Sequence, residues 1–115
     1  MGRILIFDKS REDAGVLEQA LRSLLGAVTV SLHTPEDVFS QPIPEDVRLA
    51  FFTVTGMYEA EAARKFGALR GDVPMVVVSD SKEYGILSWS LGSSYYLLRP
   101  FGEQELPLAL KRCAV

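Results

Sequence analysis

Apolar and polar positions follow two rhythms along this chain. Arg3-Ile4-Leu5-Ile6-Phe7 and Met75-Val76-Val77-Val78 are short, almost unbroken apolar runs, the pattern of strands buried on both faces of a parallel sheet. The longest run, Arg48-Leu49-Ala50-Phe51-Phe52-Thr53-Val54-Thr55, ends in hydroxyls and reads as the central strand. Ala27–Leu32, where Val28, Val30 and Leu32 alternate with Thr29 and Ser31, is another strand, and Ser94–Leu98 is the last.

Between these runs the rhythm is helical. Ser10 caps a helix with Asp13 near its positive end and an apolar stripe of Leu17, Ala20, Leu21, Leu24 and Leu25, stopped by Gly26. Thr34, with Pro35 behind it, opens a short helix to about Ser40, and the prolines of Gln41-Pro42-Ile43-Pro44 force a loop. Ala60, Ala63, Phe66 and Leu69 set a helix over Met57–Leu69, closed by Gly71. A helix is predicted over 82–91, weakened by Gly85, and a last one over 103–112, with Pro107 tolerable only near its start. Strands alternating with helices predict one α/β domain over 1–115: a parallel sheet, right-handed crossovers and helices on both faces.

Composition narrows the function. A chain of 115 residues, 48% hydrophobic and 23% charged, is an ordinary single globular domain. A net charge of −3 argues against an electrostatic grip on nucleic acid by this domain. Cys113 has no partner cysteine, no run approaches the ~20 apolar residues of a membrane span, and Met1-Gly2-Arg3 leads straight into a strand. Ile6 stands where a myristoylation signal wants Ser or Thr. The expected compartment is the cytoplasm. No glycine-rich phosphate loop and no metal-spaced Cys/His cluster is present, so no enzyme is predicted.

Open parallel sheets do their chemistry at the carboxyl ends of the strands. The candidates there are Asp8, Lys9, Thr53, Thr55, Ser79 and Arg99. Each also has a plain structural reading. Asp8 can pair with Lys9 or Arg99, and Arg99 can instead bind carbonyls or point outward. Thr53 can bond locally while its methyl packs, and Thr55 and Ser79 can serve as hydrogen-bonding caps. His33 is expected to be exposed and inert, and Cys113 to be packing.

Four blocks then carry a resemblance over essentially the whole chain. Ile4-Leu5-Ile6-Phe7-Asp8, the strand ending at Thr53, Pro74-Met75-Val76-Val77-Val78-Ser79 and Tyr96-Leu97-Leu98-Arg99-Pro100-Phe101 resemble, in order, the signature blocks of the two-component response-regulator receiver domain. The resemblance implies a flavodoxin-like (βα)5 fold with strand order 2-1-3-4-5. It puts Thr53 where receivers carry the aspartate that accepts a phosphoryl group, and Asp8-Lys9 where they carry a magnesium-binding acidic pair. Ser79 matches the hydroxyl after the fourth strand, Arg99 replaces the lysine before proline, and Tyr96 matches the switch aromatic.

With Lys9 beside Asp8 and no charge on Thr53, little attracts a dication, and an unactivated threonine is a poor phosphoryl acceptor. The expectation is a degenerate, aspartate-less pseudo-receiver with no cofactor and magnesium binding lost. It acts as a protein-interaction module in bacterial signalling. The alternative is a receiver-like domain that senses a small ligand, or takes unconventional phosphorylation, in the altered pocket. Trp89, Tyr95, Tyr96 and the last helix fall on the face that receivers commonly use for partners. The expected partner is another protein, an effector domain or a second copy of the chain, with no membrane contact. Trp89 is equally readable as a cover for the sheet edge.

Overall fold

In the computed structural model, which describes residues 2–84 and 90–113, the elements are β1 (Arg3–Phe7), α1 (Arg11–Leu25), β2 (Thr29–His33), α2 (Asp37–Ser40), β3 (Val47–Thr53), α3 (Met57–Leu69), β4 (Met75–Ser79), β5 (Tyr95–Leu98) and α4 (Glu105–Arg112). All strand pairs are parallel, in the order β2-β1-β3-β4-β5. This is the flavodoxin-like arrangement expected from the sequence.

The sheet is apolar on both sides because its strands alternate between two cores. Ile4, Ile6, Leu49, Phe51, Val76, Val78 and Leu97 face Leu17 and Leu21 of α1 and Leu106, Ala109 and Leu110 of α4. Leu5, Phe7, Ala50, Phe52 and Val77 face Val38 of α2 and Ala60, Ala63 and Phe66 of α3. On that second side Phe7 stacks on Phe52 with ring centroids 4.3 Å apart, and Phe66 closes on both. Truncating a phenylalanine at such a position costs roughly 3–5 kcal/mol. Cys113 belongs to the first core, and burial pushes its thiol pKa up, away from reactivity.

Local chemistry fixes the element ends. Ser10 Oγ accepts the Asp13 N–H and starts α1, and Gly26 ends it with φ 74°, donating its N–H to the Arg22 carbonyl. β3 stops at Thr53, two residues before the apolar run does, because the Thr55 N–H turns to the Glu59 carboxylate instead.

Other boundaries also differ from the sequence reading. β2 starts at Thr29 and runs on to His33. Thr34 is not the N-cap of α2: the helix starts only at Asp37, with Glu36 at its N-cap, after a turn in which the Asp37 carboxylate accepts the Thr34 N–H. α4 starts at Glu105, because residues 103 and 104 form a turn in which Glu105 Oε2 accepts the Gly102 N–H. Leu24 and Leu69, read as parts of buried stripes, are half exposed. His33 is not the exposed residue expected: it stacks on Phe7 and approaches Asp37 at 3.3 Å. The helix predicted over 82–91 falls largely on residues 85–89, outside the described residues; Glu83, Tyr84 and Ser90 have helical backbone.

Two helical glycines make opposite predictions. A Cβ on Gly15 meets nothing within 4 Å, so Gly15→Ala should stabilise the protein by ~0.5–1 kcal/mol through helix propensity. A Cβ on Gly67 falls 2.8 Å from the Leu91 carbonyl oxygen, so Gly67→Ala should destabilise it despite the same propensity gain, by ~1–3 kcal/mol. Urea midpoints of the two variants moving in the same direction would contradict this packing.

Candidate functional site

Asp8 leaves the end of β1 with its side chain only 4% exposed, so its carboxylate has to find partners inside the protein. One oxygen accepts the Ser10 N–H at 2.8 Å. The other accepts the Thr53 hydroxyl at 2.8 Å, from the end of the neighbouring strand β3. Thr53 is itself buried, and its bond reaches across the sheet rather than to a local backbone group as the sequence suggested. Parallel pairing of β1 with β3 creates this contact by bringing the two strand ends side by side.

Arg99, just past β5, supplies the positive charge. Its Nη1 lies 3.8 Å from Asp8 Oδ2 and 3.5 Å from Asp13 Oδ2, and its Nε donates to Asp80 Oδ1 at 2.8 Å. Of the sequence alternatives, Arg99 rather than Lys9 is therefore the ion partner of Asp8. Lys9 is exposed and makes no ion pair among the described residues. Asp13 and Asp80 are members of this cluster that sequence reasoning missed. Asp13 was legible only as a first-turn helix charge, and Asp80 only as a residue following a strand.

Ser79 is fully buried; its Oγ accepts the Ser81 N–H at 3.2 Å and its carbonyl the Arg99 N–H at 2.7 Å. Thr55 stands apart from the cluster. Its hydroxyl donates to Glu59 Oε1 at 2.9 Å, which holds a buried carboxylate in the first turn of α3, where the helix dipole favours it. Glu59 is a second buried acid that the sequence did not signal.

The donor set matches magnesium poorly. This ion demands near-octahedral oxygen ligands, usually including one or two carboxylates. Here both Asp8 oxygens already accept hydrogen bonds, Thr53 and Ser79 are uncharged, and a guanidinium faces the open side. Beside the cluster lies a cavity of about 150 Å³, with Asp8, Thr53 and Arg99 at its polar end and Val16, Leu17 and Phe101 along its walls.

Tyr95 and Tyr96 do not share a face. As neighbours on β5 they point to opposite sides of the sheet, Tyr95 packing with the α1/α4 core and Tyr96 with the α2/α3 core. Arg112 of α4 sits over the Tyr95 ring at 6.0 Å. The Tyr96 hydroxyl donates to the Ser81 carbonyl. Trp89 lies outside the described residues. Among the described residues an exposed aromatic pair that the sequence reading passed over, Phe39 and Tyr58, joins α2 to α3 with centroids 6.1 Å apart.

No family model matches the chain, and no curated protein matches its sequence. Solved structures do match its fold. A CheY-like receiver domain from Methanospirillum hungatei JF-1 superposes with a TM-score of 0.79 at 23% identity, covering 96% of this chain and 91% of its own. The response regulator TrrA of Thermotoga maritima, solved with Mg2+ and BeF, gives 0.81 at 17% identity, covering 98% and 99%. A Burkholderia thailandensis E264 protein assigned to pilus assembly (cpaE) gives 0.85 at 19% identity, covering 99% and 98%. The chain thus has the fold of receiver domains over its whole length.

The Thr53–Asp8 bond is open to a direct test. Thr53→Val keeps the shape and removes the donor, so it should cost ~1–3 kcal/mol in urea unfolding. In an Asp8→Ala background the same change should cost far less. Equal costs in both backgrounds would show that the hydroxyl does not act through Asp8.

Proposed function

We propose that this domain is a pseudo-receiver: a receiver-fold module that works through protein contacts without accepting a phosphoryl group. One observation carries the reading. The strand end where receivers present the acceptor aspartate holds Thr53, whose hydroxyl is committed to Asp8. A hydroxyl becomes a nucleophile only when a base takes its proton along the line of attack. Asp8 accepts that hydrogen bond, but its carboxylate is shared with the Ser10 N–H and the Arg99 guanidinium. The magnesium that would draw in a phosphoryl donor has no matching ligand set, so we expect neither cofactor nor turnover.

Signalling in such a module depends on whether a partner is present. In an ordinary receiver the switch serine and aromatic follow the phosphoryl group. Here Ser79 is held by Ser81 and Arg99, and Tyr96 by the Ser81 carbonyl, which favours a single resting arrangement. We place the partner face at β5 and α4 together with Trp89. Tyr95 is the described residue we take as its anchor, aromatic and half-buried with a guanidinium over its ring. The partner class is a bacterial signalling or regulatory protein, a linked effector domain or a second copy. No described helix is long and apolar enough to cross a membrane.

A second reading, a small ligand at the altered strand end, has the 150 Å³ cavity in its favour. Its polar floor and apolar walls suit a small amphipathic molecule rather than a bare phosphate.

Acetyl phosphate with magnesium should leave the intact mass unchanged under conditions that preserve acyl phosphates. An adduct that disappears in Thr53→Ala would refute the reading. For the surface, Tyr95→Ala or Trp89→Ala should weaken binding of a captured partner by more than ~1 kcal/mol, and Thr53→Ala should leave it nearly unchanged. The reverse pattern would move the working site to the pocket.

A further inference from the structure

We propose that Arg99 is a built-in counter-cation, a guanidinium on the chain that takes the electrostatic part a divalent ion plays at an acidic strand end, and thereby excludes the ion. The inference rests on the cluster geometry and does not depend on which partner the domain binds.

Three carboxylates from separate parts of the fold converge on this one side chain: Asp8 after β1, Asp13 in the first turn of α1, and Asp80 after β4. They differ in weight. Asp13 and Asp80 are half or more exposed, and pairs of that kind are worth little in water. Their effect is to aim the guanidinium. Asp80 takes Nε while Asp13 lies 3.5 Å from Nη1. Asp8 is the costly charge, because it is buried and its two protein hydrogen bonds come from neutral donors. Arg99 is thus the cation that stands opposite the buried Asp8 carboxylate.

The position of Nη1 shows why it competes with a metal. At 3.5–3.8 Å from carboxylate oxygens of both Asp13 and Asp8, it sits where a hydrated dication would reach both through its own waters. Magnesium dehydrates reluctantly and usually keeps several of its waters. An ion cannot share the place with the guanidinium. Removing the guanidinium leaves Asp8, Asp13 and Asp80 without the cation they share, and the local field then favours uptake of another.

The test compares thermal unfolding of wild type, Arg99→Gln and Arg99→Lys in magnesium chloride and in sodium chloride of equal ionic strength. Backbone amide shifts of Ser10 and Thr53 are followed during the magnesium titration. Wild type should melt at the same temperature in both salts, with no saturable shift. Arg99→Gln should melt lower in sodium chloride by roughly 3–8 °C, recover at least half of that loss in millimolar magnesium, and show saturable shifts at both amides. Arg99→Lys, whose point charge cannot serve three carboxylates as a planar fork does, should show a smaller magnesium-selective gain.

If Arg99→Gln folds only when magnesium is present, that supports the proposal. If it folds in neither salt, the lysine variant decides: a magnesium-selective gain above wild type supports the proposal, and none overturns it. A magnesium-selective gain in wild type equal to that of the variants overturns it too. That result leaves the interaction reading standing, since Tyr95 and the partner report on it separately.

Discussion

A carboxylate buried at the end of β1 has to be matched, and the pocket is arranged around that requirement. Asp8 draws the Ser10 N–H, the Thr53 hydroxyl and the Arg99 guanidinium to itself, and through them connects α1, β3 and the segment after β5. The N–H and the hydroxyl satisfy its lone pairs, and the guanidinium supplies the opposite charge. A buried acid normally invites a metal or activates a nucleophile. Here the Ser10 N–H, the Thr53 hydroxyl and the Arg99 guanidinium meet that requirement from within the chain.

The fold makes this convergence possible. β3 is buried throughout most of its length, between β1 and β4, and every strand runs in the same direction. All carboxyl ends therefore open on one edge of the molecule, where Asp8, Thr53, Ser79 and Arg99 collect although they are far apart in sequence. Receivers use the same geometry to gather an acceptor, a metal and a lysine. This chain gathers hydrogen bonds and ion pairs in the same place.

The sheet was legible in the sequence because burial on both faces writes unbroken apolar runs, and α3 was legible because Ala60, Ala63 and Phe66 repeat at helical spacing. Element ends were less so. Asp37 and Glu105 take backbone N–H groups from residues three positions before them, a local spacing the sequence reading passed over in favour of Thr34 and Glu103 as helix starts. The candidate residues were found from their positions after strands, and Arg99 was among the partners weighed for Asp8, but the Thr53–Asp8 and Arg99–Asp13 contacts were not read. Thr53 reaches Asp8 across 45 residues of chain, and Arg99 reaches Asp13 across 86. Such contacts become visible only once the strand order and register are known. Tyr95 and Tyr96 show the converse: adjacent in sequence, they belong to different cores because a strand alternates its side chains.

The strand order also constrains how the chain reaches its fold. β1 pairs with both β2 and β3, so that Arg3 is aligned with Thr29 on one side and Val47 on the other. None of these parallel pairs can be closed by a tight turn, and each has to enclose an intervening crossover. The entropy of loop closure is therefore met before any ladder hydrogen bond forms. Only the helices can organise locally beforehand, and α1, with its Ser10 cap and its Glu18–Arg22 pair, is the best equipped to do so. The polar cluster at the strand ends therefore depends on the pairing of β1 with β3, which brings Asp8 and Thr53 side by side.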